Sequence, residues 1–596
     1  MERDELRKRL REEAGGLGVP AETLAQAEAA HDWFLVPEWI IPRRAQLPAA
    51  QAARSLRAAE ALLRLSLLTH PAGSARGKRV PVVFGTGGHR GEIGWGLTLA
   101  HVHAILTALM GLIAGQSPAE RREHFGSADL AEVKRKGMLI GHDNRLFNPE
   151  FSYYAAHVLG AGGYRVAYAG RIATPELSYL VPAQGWAGSV NFTPSHNPFR
   201  YGGIKLSPAD GGLAGPELTD PLEHEANRLL DALTPGAWPA PDALERMLRA
   251  QEQGVARVDL HEDYLRGLEC HPVIRLDDLV RTLKGLPPAQ ALHWVVDPVW
   301  GASVPAYLRL RERLGASVLT LLHTEDDPYF GGQTTEPNEQ TLGEAVAAVR
   351  AHGAPLKVAI RNDPDSDRGL VGDAAGAIKM NRFAPLVLRY LLDLGLDGGL
   401  VTTLPTSHMG PDYAARRGKA VTVTKTGFKN FRPLLRQGRT LVAYEESDGM
   451  TIQGHTLDKD GLLAGLLAVR IVLHYGRALS DLLAEMEAEL GVYYWRQMTF
   501  MIDMTAREAH RRLQGLAAVQ PGRRIQAGGQ ERAVAAVNTE DGFKFVLDDG
   551  SWMMMRPSGT EPKVRVYAET RESGAATEAL CEAAKALALE AIRASA

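Results

Sequence analysis

Short apolar runs alternate with longer helical stretches along most of the chain. Buried strands are predicted at 138–140, 165–168, 190–192, 294–297, 318–321, 356–360, 400–403, 421–423 and 440–443. Short strands separated by helices are typical of α/β domains. After about residue 488 the strands become longer and a closing helix follows at 575–594, which predicts an α+β module. The first 75 residues contain segments rich in alanine and leucine and are predicted to be helical.

These changes of pattern divide the chain of 596 residues into five predicted segments. A chain of this length is sufficient for about three to five domains of ordinary size. A proline-rich stretch at 234–241 predicts a connection before a helical segment. We predict a helical N-terminal extension at 1–75, α/β domains at 76–257, 258–376 and 377–487, and an α+β domain at 488–596.

The hexapeptide Thr193–Pro198, Thr-Pro-Ser-His-Asn-Pro, places a serine on a rigid turn after a short apolar strand at 187–192. Its two prolines fix their own φ angles and restrict the residue before each of them, which disfavours a helix. A serine hydroxyl is a weak nucleophile that needs a pre-set backbone and nearby charge. Ser195 is therefore a candidate nucleophile. The alternative is an ordinary turn, because Ser, Asn and Pro all favour turns.

An acidic loop, Asn362–Gly369, follows the predicted strand 356–360. Its carboxylates Asp363, Asp365 and Asp367 alternate, so an extended backbone would point all three to one side, where their repulsion favours a bound cation. Oxygen ligands select a hard ion such as Mg²⁺ or Ca²⁺. The loop is not an EF-hand, because it lacks the glycine and the glutamate that an EF-hand requires at its sixth and twelfth positions. The alternative is a solvated acidic turn.

Two further polar loops end predicted strands. Tyr444–Gly449, Tyr-Glu-Glu-Ser-Asp-Gly, offers carboxylates and a hydroxyl to the vicinal hydroxyl groups of a sugar. Arg556–Glu561, Arg-Pro-Ser-Gly-Thr-Glu, offers a guanidinium, two hydroxyls and an accessible backbone to a phosphate. A solvated turn and a plain hairpin are the respective alternatives. Together the four loops indicate a sugar-phosphate phosphotransferase.

The chain resembles the α-D-phosphohexomutase superfamily, and in particular its phosphoglucomutase branch. The resemblance rests on the four loops and on four further motifs in the family's order, Phe84–Gly91, Gly141–Arg145, Gly203–Lys205 and Val296–Pro298. The family implies three similar α/β domains with mixed sheets and a smaller α+β C-terminal domain around a central active-site cleft. It also implies an intramolecular phosphotransferase.

The resemblance assigns expected roles to residues in these motifs. The residues expected to take part in phosphoryl transfer are Ser195, Lys205, Arg90, His196 and Lys459. Magnesium would be held by Asp363, Asp365, Asp367 and an oxygen of the phosphorylated Ser195. The substrate would be bound by Thr86, His89, Arg368, Thr426, Gly427, Glu445, Ser447, Arg556, Ser558, Gly559, Thr560 and Arg565.

Some of these expected roles are more specific than others. Lys205 is the candidate general acid–base, and His196, next to the nucleophile, is the weaker candidate. Lys459 lies in Asp458–Gly461, which resembles a glucose-branch motif whose lysine approaches the reacting hydroxyl. His89 is interpreted as a ligand contact, with a turn residue as the alternative.

The implied reaction converts glucose 1-phosphate to glucose 6-phosphate through phosphoserine, with glucose 1,6-bisphosphate as intermediate and activator. Members that prefer mannose continue their sugar loop with Gly-His, whereas this chain has Asp448 and Gly449 there. That difference and the presence of Lys459 favour glucose. The alternatives are phosphomannomutase, glucosamine mutase, glucose 1,6-bisphosphate synthase, a metal-dependent sugar phosphatase and a non-catalytic binding protein.

Composition limits the remaining possibilities. With 67 Lys and Arg against 70 Asp and Glu, the chain has no global basic field, so we expect no nucleic-acid partner. Cys270 and Cys581 are too few for a disulfide framework, which favours the cytoplasm. The charged start is not a signal peptide, and the apolar run at 462–473 is too short to span a membrane and predicts a buried helix. We expect a monomer or a homodimer that binds hexose phosphates.

Overall fold

The computed structural model describes residues 3–69, 79–85, 87–233, 238, 241, 244–245, 248, 255–558 and 563–594. Most of the predicted proline-rich connection at 234–241 lies outside these residues. The chain divides into two compact units. The first unit contains residues 1–377 and 454–470, and the second contains residues 378–453 and 471–596.

Helices form the described part of the predicted N-terminal extension. They are α1 (Arg3–Gly15), α2 (Ala21–Ala29), α3 (Leu35–Ile40) and α4 (Ala49–Thr69), with a 3-10 turn at Ile41–Gln46. Their apolar faces share one hydrophobic core with the first sheet and its helices, since Leu62 of α4 and Ile140 of that sheet belong to the same buried cluster. The helices are therefore packed as part of the first unit.

The first sheet has six strands in the order β1-β5-β4-β2-β3-β6. The strands are β1 (His89–Glu92), β2 (Met138–His142), β3 (Val166–Arg171), β4 (Gly188–Phe192), β5 (Tyr201–Pro208) and β6 (Ala256–Arg257). Its helices are α5 (Leu99–Gly115), α6 (Pro118–Phe125), α7 (Leu130–Lys136), α8 (Asn148–Ala161), α9 (Thr174–Ala183) and α10 (Pro216–Ala232). Because β2 and β4 are parallel neighbours, the loops that follow them meet at one edge of the sheet.

The second sheet has five strands in the order β11-β10-β9-β7-β8. The strands are β7 (Leu292–Asp297), β8 (Leu319–Leu321), β9 (Leu356–Asn362), β10 (Gly369–Asp373) and β11 (Gly376–Ile378). Its helices are α11 (His261–Cys270), α12 (Leu276–Gly285), α13 (Val304–Leu314) and α14 (Glu339–Ala351). The antiparallel pair β9 and β10 carries the acidic loop at its tip.

The third sheet has four strands in the order β13-β12-β14-β15. The strands are β12 (Gly399–Thr403), β13 (Val421–Thr424), β14 (Thr440–Glu445) and β15 (Gly449–Ile452). The helices of this part of the chain are α15 (Met380–Asp393), α16 (Met409–Arg416), α17 (Arg432–Leu435), α18 (Gly461–Tyr475) and α19 (Leu479–Leu490). Burial of Leu463, Leu467 and Ile471 confirms the predicted buried helix at 462–473.

The fourth sheet is antiparallel throughout, in the order β16-β21-β20-β19-β18-β17. The strands are β16 (Tyr494–Met501), β17 (Arg524–Ala527), β18 (Gln530–Asn538), β19 (Phe543–Leu547), β20 (Trp552–Pro557) and β21 (Lys563–Thr570). Helices α20 (Ala506–Leu513) and α21 (Gly574–Ala594) pack against it. Three mixed α/β sheets followed by an antiparallel α+β sheet confirm the predicted fold class.

No single described helix is long and apolar enough to cross a membrane, and α18 and α19 pass that test only as a pair bent by 77°.

Candidate active site

Ser195 lies on the loop after β4, and its backbone has a φ of 58°. This left-handed conformation is strained for a residue with a side chain, and such strain persists only where the surroundings fix it. Here the Ser195 N–H donates to Thr193 Oγ1 at 2.9 Å, and its hydroxyl donates to Asp363 Oδ2 at 2.7 Å. The structure therefore holds the buried Ser195 hydroxyl against the acidic loop.

Arg145 fastens the serine loop through its backbone. Its guanidinium donates to the carbonyl oxygens of Ser195 and Asn197 at 2.7 Å and of Pro198 at 2.6 Å. Its Nε donates to Asp143 Oδ2 at 2.9 Å, and both side chains of this ion pair are fully buried. The sequence prediction noted the motif that contains these residues but gave neither a role.

Asp143 connects Arg145 to the strand edge beneath the serine. It accepts hydrogen bonds from Thr193 Oγ1 at 2.8 Å and from Asn148 Nδ2 at 2.6 Å. Burial raises the pKa of Asp143 to about 6, against the opposing effect of Arg145. The contacts of Asp143 and Arg145 with the serine loop join residues some fifty positions apart, so the sequence does not reveal them. The sequence showed only a pair of charged residues directly after a buried strand.

The acidic loop between β9 and β10 brings Asp363, Asp365 and Asp367 together. One carboxylate oxygen from each lies within 4.8 Å of the others, and all three side chains are buried. The prediction that they converge on one side is correct, but the predicted extended backbone is wrong. The loop is a turn with Ser366 at a φ of 57°, and this turn brings the three aspartates together.

The charges in this cluster are strongly perturbed. Burial and the neighbouring Asp367 and Asp365 raise the pKa of Asp363 well above its ordinary range. Although burial opposes it, Lys205 and Lys459 hold the pKa of Asp367 well below its ordinary range. Lys205 Nζ lies 2.5 Å from Asp365 Oδ2 and 2.6 Å from Asp367 Oδ2, and Lys459 Nζ lies 3.0 Å from that same Asp367 oxygen.

The acidic cluster fits a hard divalent cation. The second oxygens of Asp365 and Asp367 are buried and have no hydrogen-bond partner within the described residues. Buried carboxylate oxygens without a donor are costly unless a cation satisfies them. Mg²⁺ and Ca²⁺ prefer oxygen ligands, and this cluster offers carboxylate oxygens. Thr174, which the sequence prediction missed, orients the cluster by donating to Asp365 Oδ2 at 2.6 Å.

Three other predicted residues lie beside the serine and the acidic cluster. The half-buried Arg90 donates from its guanidinium to Asn197 Oδ1 at 3.1 Å, and desolvation together with Arg368 lowers its pKa. His196 Nδ1 lies 3.4 Å from Ser195 Oγ. The backbone N–H of Arg368 donates to Asp363 Oδ1 at 3.1 Å. All these residues belong to the first unit.

Both ring nitrogens of His89 contact backbone groups. Its Nε2 lies 2.9 Å from the carbonyl oxygen of Gly96, and its Nδ1 accepts the N–H of Val83 at 3.3 Å. The ring is 1% exposed and stacks on His101 with the ring centroids 5.4 Å apart. Both nitrogens are thus engaged by backbone groups, and the interpretation of His89 as a substrate residue stays a prediction. His89 fixes the loop next to Arg90.

Three predicted substrate residues, Thr86, Gly559 and Thr560, lie outside the described residues.

The second unit brings the sugar loop and the phosphate loop to a shared partner. Glu445 Oε1 accepts the N–H of Gly427 at 2.8 Å, and the neighbouring N–H of Thr426 donates to Asp541 Oδ2 at 2.7 Å. Both Asp541 oxygens lie 3.1 Å from Arg556 Nε. Asp541, which sequence reasoning missed, therefore links the Thr426 loop to Arg556. Its only sequence signal was a Glu-Asp-Gly turn between two strands.

The remaining predicted residues of the second unit lie at strand ends or on strands. Ser447 is half-buried in the turn between β14 and β15. Ser558 directly follows β20, and its N–H donates to the carbonyl oxygen of Lys563 at 2.9 Å. Arg565 lies directly opposite Arg556 in the β20–β21 pair. The two arginines are therefore carried by adjacent strands.

Asp448 has a structural role that the sequence did not indicate. It adopts a φ of 65°, and its carboxylate accepts Lys379 Nζ at 2.9 Å and the N–H of Met380 at 3.0 Å. The side chain thus fastens the start of α15. The glucose preference inferred from the Asp448–Gly449 sequence rests on the absence of a histidine there and stays a prediction.

Glu446 is a buried carboxyl group, and we expect its replacement by a neutral glutamine to stabilise the protein at alkaline pH. Burial and Glu445 raise the pKa of Glu446 to about 7 from 4.5. Stability is then lost as the pH rises from 4.5 to 7, because unfolding releases this proton. Glu446→Gln should raise the thermal midpoint at pH 8 and leave it unchanged near pH 4.5, with a gain of up to about 3 kcal/mol. An equal gain at both pH values would contradict this.

Models of the phosphoglucomutase/phosphomannomutase family match the chain in four places. The α/β/α domains I, II and III match residues 81–231, 284–376 and 379–489, and the C-terminal domain matches residues 506–587. Together these matches cover well over half of the chain and include the serine loop, the acidic loop, the sugar loop and the phosphate loop.

Individual proteins are similar over nearly the same extent. A phosphoglucomutase of Komagataeibacter xylinus is 27% identical over 535 residues, 84% of this chain and 89% of that protein. A phosphoglucosamine mutase of Frankia alni is 29% identical over 505 residues, 83% of this chain and 96% of that protein. A crystal structure of a phosphoglucomutase/phosphomannomutase family protein of Burkholderia thailandensis superposes with a TM-score of 0.62 at 21% identity, covering 86% of this chain and 97% of the other.

All four domains occur in the family's order, and the acidic cluster that could bind a metal ion lies beside a buried serine in one of the units. The chain therefore belongs to the α-D-phosphohexomutase superfamily, and its activity is that of a phosphohexomutase.

Proposed function

We propose that the protein is a phosphoglucomutase that interconverts glucose 1-phosphate and glucose 6-phosphate. The observation that carries the proposal is the contact of Ser195 Oγ with Asp363 Oδ2 at 2.7 Å, which puts a hydroxyl that can carry a phosphoryl group on the edge of a metal-binding cluster. Phosphoryl transfer depends mainly on positioning and on charge stabilisation, and this cluster supplies both.

The first transfer moves a phosphoryl group from Ser195 to the 6-hydroxyl of glucose 1-phosphate. The bond from Ser195 Oγ to phosphorus breaks, a bond from the sugar O6 to phosphorus forms, and the hydroxyl proton ends on Ser195 Oγ. Lys205, in ion-pair contact with Asp365 and Asp367, is the proposed proton carrier between the two oxygens. Glucose 1,6-bisphosphate then reorients in the site. Its 1-phosphoryl group is transferred to Ser195, which leaves glucose 6-phosphate.

The charge that develops on the transferring group requires several cations. Mg²⁺ held by Asp363, Asp365, Asp367 and a phosphoserine oxygen would supply Lewis-acid stabilisation of the phosphoryl oxygens. Arg90 and Lys459 are proposed to add positive charge from the protein. Lys459 Nζ already lies 3.0 Å from Asp367, one of the three carboxylates. The fixed left-handed backbone of Ser195 positions the oxygen before substrate binds.

The second unit is proposed to recognise the sugar and the phosphate that is not transferred. Glu445 and Ser447 would accept and donate hydrogen bonds to sugar hydroxyls, while Thr426 and Gly427 would contact the sugar from the neighbouring loop. Arg556 and its neighbours Ser558, Gly559, Thr560 and Arg565 would bind phosphate. Arg556 is already oriented by its two contacts with Asp541, and a pre-oriented guanidinium is well suited to a phosphate dianion.

The preference for glucose is the finer part of the proposal. It is supported by Lys459 in a motif that resembles the glucose branch and by the name of the Komagataeibacter xylinus relative. The relative from Frankia alni, at similar identity, carries the name phosphoglucosamine mutase. The choice of hexose therefore needs a direct measurement.

We expect the purified protein to turn over glucose 1-phosphate with a kcat/KM about tenfold or more above those for mannose 1-phosphate and glucosamine 1-phosphate. The three esters would be compared with Mg²⁺ and a catalytic amount of the matching bisphosphate. A preference for mannose or glucosamine would retain the mutase mechanism and reject the proposed substrate. Turnover of none of the three would reject the proposed function.

A further inference from the structure

Residues of the N-terminal helices contact the chain directly after the serine loop. Arg200 donates from its guanidinium to Asp32 Oδ2 at 2.7 Å and to Glu38 Oε1 at 2.8 Å. A third carboxylate, that of Glu92 in β1, accepts from the same guanidinium at 2.8 Å. The side chain of Arg200 is only 15% exposed, so these contacts are shielded from solvent. The N-terminal segment thus supplies two of the three acidic partners of this arginine, Asp32 from the connection between α2 and α3 and Glu38 from α3.

The neighbouring aromatic residue is held in the same way. The ring centroid of Phe199 lies 6.3 Å from that of Phe34 and 5.3 Å from that of Tyr329. The Tyr329 hydroxyl donates to Glu60 Oε1 of α4 at 2.6 Å. Phe199 therefore packs between an N-terminal residue and a tyrosine that the N-terminal helices also bind.

The segment that contains Tyr329 holds the serine loop from its other side. The Thr335 hydroxyl donates to the carbonyl oxygen of Asn197 at 3.2 Å. The guanidinium carbon of Arg145 lies 4.9 Å from the centroid of the Phe330 ring, and Arg145 donates to the carbonyl oxygen of Ser195 at 2.7 Å. Contacts made by the N-terminal helices thus reach the serine loop by two routes.

We propose that the N-terminal helices are a positioning element for Ser195, with Asp32 and Glu38 acting as positioning residues through Arg200. The proposal rests on the proposed function of Ser195 as phosphoryl carrier. Ser195 has a strained backbone, which remains in place only if its surroundings over-determine it. Displacement of a reacting atom by about 1 Å lowers a rate by about a hundredfold, so a loosened loop would slow transfer without removing any group that touches substrate.

The test is the double variant Asp32→Asn with Glu38→Gln. Both replacements keep the size and the accepting oxygens but remove the charges that bind Arg200. We expect kcat to fall about tenfold while KM changes by less than about twofold, since the substrate contacts are untouched. Backbone hydrogen exchange in the peptide 193–201 should also become faster. The matched control is Glu13→Gln, which removes the Glu13–Arg54 pair at 2.9 Å within the same helices.

Each outcome decides the proposal. An unchanged kcat and unchanged exchange at 193–201 in the double variant would overturn it, and so would an equal loss of activity in Glu13→Gln. If the double variant fails to fold, Arg200→Lys replaces it, because lysine keeps the charge but cannot bind both carboxylates as a fork. A wild-type protein without mutase activity would reject the proposed function, while the exchange comparison would still decide whether these helices hold the loop.

Discussion

Ser195→Ala is expected to lower the mutase kcat by about a thousandfold or more, because the chain then lacks the oxygen that is proposed to carry the phosphoryl group. The fold should be retained, since the backbone N–H that bonds Thr193 and the carbonyl that bonds Arg145 both remain. The measurement is initial-rate turnover of glucose 1-phosphate, together with the intact mass of the protein after exposure to glucose 1,6-bisphosphate. Wild type should gain one phosphoryl group and the variant none.

Ser317→Ala is the control for this prediction, because Ser317 is exposed and far in sequence from all four loops. It should retain full activity. If Ser195→Ala kept more than about a tenth of the wild-type kcat, a direct transfer between substrates or a different phosphoryl carrier would have to replace the phosphoserine mechanism.

Asp363→Asn is expected to lower kcat by about a hundredfold or more and to stabilise the metal-free protein. The loss of activity follows because one of three carboxylate ligands becomes a neutral amide. The gain in stability follows because burial and two neighbouring carboxylates disfavour the charge on Asp363, as the raised pKa of that group indicates. Stabilisation by about 1 kcal/mol would raise the thermal midpoint of a unit of this size by roughly 1–2 °C.

The two effects are measured separately, as activity in a Mg²⁺ titration and as thermal unfolding in the presence of a chelator. Wild-type activity should disappear in the chelator and return with Mg²⁺. Asp373→Asn on the same hairpin is the control, since Asp373 accepts the N–H of Ala375 and an asparagine oxygen can do the same. Full activity of Asp363→Asn at low Mg²⁺ would contradict the assignment of a metal site.

The predicted strands were found because each is a short apolar run with a polar loop at its end, whereas the mostly buried β5 contains two glycines and a lysine and was not predicted. The predicted strand 138–140 lies within Met138–His142, and the closing helix predicted at 575–594 begins at Gly574. The fold class followed from this alternation. The pattern of apolar residues that predicts each element is local in sequence, so a single sequence contains enough information to find it.

The site was predictable in its residue types but less so in its geometry. The structure brings Ser195 and Asp363 together although 168 positions separate them in sequence. The networks that orient them could not be read from sequence, because Asp143, Arg145 and Thr174 act through contacts made only in the folded chain. The catalytic and binding roles named from the resemblance stay predictions.

Two residues in the predicted site motifs have structural contacts that the sequence did not indicate. His89 lies in the middle of a predicted ligand motif, and both its ring nitrogens are bound to backbone groups. Asp448 lies in the sugar loop, and its carboxylate binds Lys379 and the start of a helix. A polar residue in such a motif can form hydrogen bonds that stabilise the fold. Its hydrogen-bond partners in the structure show this role, which the sequence alone does not.

The most direct test of the central claim follows a labelled phosphoryl group in a single turnover. Protein labelled on Ser195 by radioactive glucose 1,6-bisphosphate would be purified and mixed with unlabelled glucose 1-phosphate and Mg²⁺. The account predicts that the label leaves the protein, passes into glucose 1,6-bisphosphate and ends in glucose 6-phosphate. Release of the label as inorganic phosphate would contradict it and indicate a phosphatase, and accumulation in the bisphosphate alone would indicate a synthase.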